Sequence, residues 1–187
     1  CMHETYEDCP YYEQLQYAGD TRIQSLISLY VSGDDRLMRK AIRMFDVSRG
    51  HEGITRSRYP SRVPQYIPQF SLYWIGMVHD YWMYRGDEDF VKSFLPGIRT
   101  VLAWFTEKID PDTGMVMNGL PHWNFTDWVD GWERGVAPES ASSGSAVTSL
   151  LLAAALDDAA QLMRYYGSQC EASQYEIISS GLKESVY

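Results

Sequence analysis

The sequence predicts an all-α domain built of helical hairpins. Three observations carry that expectation. Apolar residues recur every three or four positions through six separate stretches, the spacing of one-sided helices. Gly-Asp pairs punctuate the first two hairpins at 33–34 and 86–87, inside the related phrases Tyr-x-x-Gly-Asp and Tyr-x-Gly-Asp, a weak internal repeat. The unusual residues sit in long stretches without any hydrophobic period, as functional loops between helices do. At 187 residues the whole chain, 1–187, is within the size of one domain.

The first helix is expected over 21–32, where Ile23, Leu26, Ile27 and Tyr30 form the apolar stripe. Asp20 is placed as its N-cap, Gly33 as its terminator and Asp34 as the cap of the next. The second helix, about 35–47, carries Leu37, Met38, Ala41, Ile42 and Phe45 on one side. Residues 49–70 have no period but hold Arg49, Arg56, Arg58 and Arg62, so a long loop is expected there. A third helix follows over 71–85, with Leu72, Ile75, Val78 and Trp82 on one face. From Asp87 a fourth pattern runs through Phe90, Phe94, Ile98, Val101, Leu102, Phe105 and Ile109, and Pro96-Gly97 predicts a kink or break within it. Asp110 to Gly114 reads as a turn, and 115–117 as a short strand of a small hairpin. A fifth helix is expected from about 142, with 150–156 apolar nearly all round and therefore buried. A sixth, over 171–187, is still running at the last residue.

Composition excludes several functions. Lys and Arg number 16 against 25 Asp and Glu, a formal charge of −9, which argues against a nucleic-acid or anionic-membrane partner. Cys1, Cys9 and Cys170 make no metal-ligand spacing and no disulfide framework, so neither metal nor cofactor is expected. No apolar run approaches the ~20 residues of a bilayer span. The chain opens on Cys1 and stops within a helix, so a piece of a longer protein is expected and localisation stays open.

The chemistry concentrates in residues 7–20, Glu-Asp-Cys-Pro-Tyr-Tyr-Glu-Gln-Leu-Gln-Tyr-Ala-Gly-Asp. Pro10 disfavours helix there and Gly19 marks the loop's end. Carboxylates interleaved with aromatic rings suit a sugar: Asp8, Glu13 and Asp20 accept hydroxyl protons, and a ring such as Tyr17 covers a C–H face. A solvated acidic loop with core tyrosines accounts for the same residues. A second aromatic stretch holds Trp123, Phe125, Trp128 and Trp132 with Asp127, Asp130 and Glu133 between them. It is either a sugar platform or a loop folded onto the core. Arg58 and Tyr59 are candidates for sugar hydroxyls, or neutralise neighbouring acids.

Asp8-Cys9-Pro10, Glu13-Gln14 and the Gly19-Asp20 that follows resemble the catalytic-loop signature of bacterial α-L-rhamnosidases, glycoside hydrolase family seventy-eight. The similarity continues through Ser57-Arg58-Tyr59-Pro60-Ser61, residues 68–87 and Phe125-Thr126-Asp127-Trp128, and so covers most of the chain. Many members carry Arg where Tyr12 stands, which changes one sugar contact but not the acid. The resemblance implies that the helical hairpins form the N-terminal half of a six-hairpin α/α barrel. It implies Glu13 as general acid, with Asp8 and Asp20 holding the sugar, and hydrolysis of terminal α-L-rhamnosides with inversion.

On that basis Tyr17, Arg58, Trp74, Trp123, Asp127 and Trp128 join Asp8 and Asp20 as substrate-binding candidates, with Tyr17 and the Trp residues walling the deoxy-sugar's methyl group. The expected partners are a rhamnose-containing glycoside, oligosaccharide or polysaccharide and the remaining half of the catalytic domain. That half is expected to supply the base; neither Glu133 nor Glu139 is given the role, and the segment alone is expected to be inactive. Two rivals stand beside this reading: another α/α-barrel glycosidase or lyase, and a non-catalytic sugar-binding helical domain.

Overall fold

A computed structural model describes residues 4–138 and 144–187. Among these, seven α-helices follow in order: α1 Ala18–Ser32, α2 Arg36–Val47, α3 Pro68–Tyr84, α4 Glu88–Lys92, α5 Leu95–Thr106, α6 Ala146–Tyr166 and α7 Gln169–Val186. Among the described residues between α5 and α6, one 3₁₀ turn forms, Glu133–Gly135. The bridges among the described residues are isolated and build no sheet.

The helices pack in two layers. In one, α3 lies between α1 and α6. In the other, α2 backs α1 and α3, α5 backs α3 and α6, and α7 backs α6. With α4 and α5 taken as one interrupted helix, successive helices therefore alternate between the layers, the arrangement of successive α-hairpins and consistent with half of an α/α barrel. The middle helix α3 is buried nearly throughout, and Trp74, Ile75, Met77 and Val78 are sealed from solvent.

Periodicity places most of the core. Met38, Ala41, Ile42 and Phe45 of α2 are fully buried, as are Ile98, Val101 and Phe105 of α5. The predicted break before α5 is real but falls earlier, around Ser93 and Phe94. Pro96 instead sits in the first turn of α5, where a missing N–H costs nothing. Pro68 does the same for α3, which starts three residues before the expected point.

Several expectations are corrected. Asp20 does not cap α1: Tyr17 holds the N-cap position and Asp20 lies in the first turn. Asp35, not Asp34, precedes α2, and Asp34 Oδ1 accepts from the Arg36 backbone N–H at 3.0 Å. Residues 115–117 pair with 108–110 through Asp110 N to Met115 O and Met117 N to Lys108 O, yet only the Ile109–Val116 bridge forms and no strand results. Within 150–156, Leu152, Ala153, Ala155 and Leu156 are buried while Leu150 and Ala154 are exposed, so this helix keeps a solvent side. It is 21 residues long and apolar enough to span a bilayer by composition. Packing against α3, α5 and α7 identifies it as a core helix.

The stripe of α1 is turned the other way. Ile23, Ile27, Tyr30 and Val31 are exposed, while Ala18, Thr21, Ser25 and Leu29 face α3. Small residues on this face let α1 lie close to α3. Gly76 of α3 extends the principle: a Cβ there would clash with the Arg22 guanidinium. Arg22 spends that space on a two-pronged pair with Asp80, at 2.7 and 3.2 Å, and reaches Asp158 of α6 at 3.7 Å. Burial pushes the Asp158 carboxyl above its ordinary range, against the pull of His79 and Arg22. The related turn phrases also meet in space: Tyr30 and Tyr84 share a hydroxyl hydrogen bond, and Arg85 donates to the Gly33 carbonyl at 2.5 Å.

Candidate functional site

Backbone hydrogen bonds knit three loops together beside the N-terminal ends of α1 and α3. Ala18 N donates to Ser57 O at 2.9 Å and Tyr59 N to Gln16 O at 3.1 Å, joining the first loop to the arginine-rich one. Ser57 N then bonds Gln65 O, and Trp123 N bonds Tyr66 O at 3.3 Å, which brings in the aromatic segment. These partners lie far apart in sequence, so the three loops are joined to one another by tertiary pairing.

The first loop is closed on itself. Asp8 N donates to Leu15 O at 3.0 Å, and Leu15 N returns a bond to Asp8 Oδ1 at 2.9 Å. Glu13 N donates to Cys9 Sγ at 3.2 Å, which explains a cysteine at that position as an acceptor rather than a nucleophile. Gln14 takes a left-handed φ of 54° to complete the turn.

A cavity of about 610 Å³ opens between these loops. Asp8, Glu13, Asp20 and Asp127 contribute carboxylates to its lining, and Tyr17, Phe70, Tyr73, Trp123, Phe125 and Trp128 contribute rings. The rings form a connected wall: Tyr17 to Phe70 at 6.3 Å, Phe70 to Phe125 at 6.2 Å, and Phe125 to Trp128 at 5.2 Å. A polar rim of acids against an aromatic wall of this size matches what small polar ligands require. Glu13 and Trp128 are exposed at the mouth, whereas Tyr17 is buried.

Behind Tyr17 stands Arg58, which does not line the cavity. Its Nη1 donates to the Tyr17 hydroxyl at 2.8 Å, and the Glu13 carboxylate lies close enough to that hydroxyl to act on it. Burial and the Glu13 carboxylate raise the Tyr17 phenol to about 12, with Arg58 opposing, so it stays a donor throughout the physiological range. Trp74 is placed farther off, away from the loops altogether. It is fully buried in the core, donates Nε1–H to the Ile42 carbonyl at 3.1 Å, and meets the edge of Phe94. The first two turns of α3 instead present Phe70 and Tyr73 to the cavity. Those two, with Arg22, were missed; Pro68, read as a helix-start signal, would have pointed to the first two.

A second cavity, about 690 Å³, lies on the other side of Trp123 and is lined by Glu133 and Arg134 but none of the four acids above. Glu133 is thus removed from the acid cluster. Glu139 lies outside the described residues.

Asp20 pays for this crowding. Burial raises its carboxyl above the ordinary range, and the charges of Asp8, Glu13 and Asp127 push the same way, outweighing its own backbone N–H. A carboxyl raised in the folded state stabilises less once ionised: the deficit is full above the folded value and absent below the unfolded one. Asp20→Asn is therefore expected to raise the melting temperature at neutral pH, with the gain vanishing as pH falls through the carboxylate range. Melting curves of both proteins between pH 3 and 8 check this; a gain that persists at low pH would exclude charge as the cause.

The fold and the loops match known proteins. A family model for the bacterial alpha-L-rhamnosidase 6 hairpin glycosidase domain matches residues 1–186. Comparison with curated proteins gives no match. Among solved structures, a GH78 family rhamnosidase of Bacillus sp. GL1 is 26% identical with a TM-score of 0.82, over 97% of this chain and 18% of that one. A rhamnosidase from Klebsiella oxytoca with rhamnose bound is 20% identical, TM-score 0.77, over 97% and 34%. An alpha-L-rhamnosidase from Dictyoglumus thermophilum is 16% identical, TM-score 0.69, over 97% and 20%. The chain thus spans from 18% to 34% of the length of these relatives. A family match from end to end, joined to a shared fold, settles the kinship: this chain belongs to the bacterial α-L-rhamnosidase six-hairpin glycosidase family.

Proposed function

We propose that the protein carrying this chain hydrolyses terminal α-L-rhamnosides with inversion, and that Glu13 is the general acid. The observation that supports this most is the gathering of Asp8, Glu13, Asp20 and Asp127 with a continuous aromatic wall in one cavity. Glu13 gives its proton to the glycosidic oxygen as the bond from that oxygen to the anomeric carbon breaks. Water adds to the opposite face, and a second carboxylate takes the proton that water loses. That base stands roughly 6.5–9.5 Å from the acid. We assign it to the hairpins that complete the barrel, not to any residue described here.

Asp8, Asp20 and Asp127 accept hydrogen bonds from the sugar's hydroxyls. Trp123, Trp128, Phe70 and Phe125 cover its methyl group and C–H faces, removing about 1–2 kcal/mol of apolar surface from water. Tyr17, whose hydroxyl neighbours the Glu13 carboxyl, steadies that group beside the leaving oxygen. Arg58 acts through Tyr17, holding that hydroxyl in place.

The test is an assay of the full polypeptide on a panel of aryl glycosides, with the first-formed sugar followed by proton NMR. Selective cleavage of α-L-rhamnoside with β-L-rhamnose appearing first is the expected result, and the 187-residue segment alone turns over nothing. Preference for a different glycoside would favour another barrel glycosidase. First appearance of the α-anomer would remove inversion, and binding of rhamnose without cleavage by the full polypeptide would favour a binding domain.

A further inference from the structure

Two tyrosines at the tip of the closed loop have no part in the core or in the cavity lining. Tyr11 is 78% exposed and Tyr12 88%, and their rings meet edge to face with centroids 5.0 Å apart. Tyrosine buries 150 Å² or more when it packs, so a touching pair left in water on the loop that carries Glu13 is a surface awaiting a ring. The loop holding them is held rigidly: Gln14 Nε2 donates to Pro10 O at 2.8 Å, besides the Asp8–Leu15 and Cys9–Glu13 bonds already described. The next residue after the pair is Glu13.

That adjacency decides the occupant. A general acid must stand within about 2.6–3.2 Å of the oxygen it protonates. The sugar lies on the cavity side of that oxygen, so the leaving group extends to the solvent side, where the loop tip stands. We propose that Tyr11 and Tyr12 form the leaving-group subsite and select rhamnosides whose leaving group offers a flat ring face. This rests on Glu13 being the acid. The shared chemistry is a ring with an apolar face, supplied either by an aromatic aglycone or by the C–H face of a second sugar.

The experiment compares the full polypeptide with its Tyr11→Ala/Tyr12→Ala and Tyr11→Phe/Tyr12→Phe variants on three substrates: methyl, 2-naphthyl and glucosyl-linked α-L-rhamnosides. The alanine variant is expected to lower the ratio of kcat/KM for the naphthyl over the methyl substrate about three- to tenfold, the worth of one aromatic contact. The phenylalanine variant keeps that ratio. A matching fall for the glucosyl substrate identifies a sugar as a second occupant; its absence restricts the subsite to aromatic aglycones. Equal losses on all three substrates, or a lowered melting temperature with no change in ratio, would show that the pair only supports the loop and overturn the inference. Unchanged ratios in an active enzyme overturn it while sparing Glu13. An inactive parent takes both readings down together.

Discussion

Glu13→Gln is expected to lower kcat/KM for methyl α-L-rhamnoside about 10²- to 10⁴-fold, the usual worth of a positioned general acid. Glutamine keeps the shape and still offers the Tyr17 hydroxyl a carbonyl oxygen, so binding of free L-rhamnose should change less than about threefold. The decisive comparison is with 2,4-dinitrophenyl α-L-rhamnoside. Its phenolate departs without needing a proton, so the loss there should shrink to about tenfold or less. The physical cause is that only a poor leaving group accumulates negative charge that the acid must neutralise in the transition state. Equal losses on both substrates would mean that Glu13 holds the sugar or the loop and donates nothing. Full activity on both would remove it from the site.

Trp74→Ala is expected to cost about 3–5 kcal/mol of stability, the range for emptying a buried aromatic position. That is a large share of the roughly 5–15 kcal/mol that holds a domain folded. Trp74 sits at the centre of α3, sealed from solvent, with its Nε1–H on the Ile42 carbonyl of α2. Removing it leaves a hole between the two layers. Trp128→Ala provides the contrast, because that ring is 69% exposed and its loss should move stability by about 0.5 kcal/mol or less. Urea unfolding separates the two. A small effect at Trp74 would mean that the layers collapse onto the gap, and a large one at Trp128 that the aromatic loop is part of the core.

The two tryptophans show where a linear reading stops. Both fell in stretches that resembled the family, and both were assigned to the wall. Trp74 follows Tyr73 directly, but successive residues of a helix point about 100° apart, so its ring turns in between the layers while that of Tyr73 reaches the cavity. Phe70 and Tyr73, nearer the helix start, take the role instead. The stripe of α1 went the same way. Ile23, Ile27 and Tyr30 have the right period, but period alone does not say which side a neighbour occupies. Small residues on the other face, with Gly76 making room for Arg22, decided the packing.

What the sequence determined by itself was the local part. Helices, their stripes and most of their ends follow from the 3.6-residue period and from Pro, Gly and Asp at fixed offsets, all interactions within a few residues. The acidic loop was legible for the same reason: Asp8, Glu13, Tyr17 and Asp20 lie within one short stretch, and a closed loop brings them to one place. Asp127, Trp123 and Trp128 reached that place only through pairings such as Tyr66 to Trp123 and Ser57 to Ala18, which no local spacing encodes. The Arg58–Tyr17–Glu13 chain is equally nonlocal, linking an arginine that looked like a sugar ligand to the acid from behind. The tertiary structure decided these because burial drives the layers together without direction, and only the packed arrangement says which loops share an end.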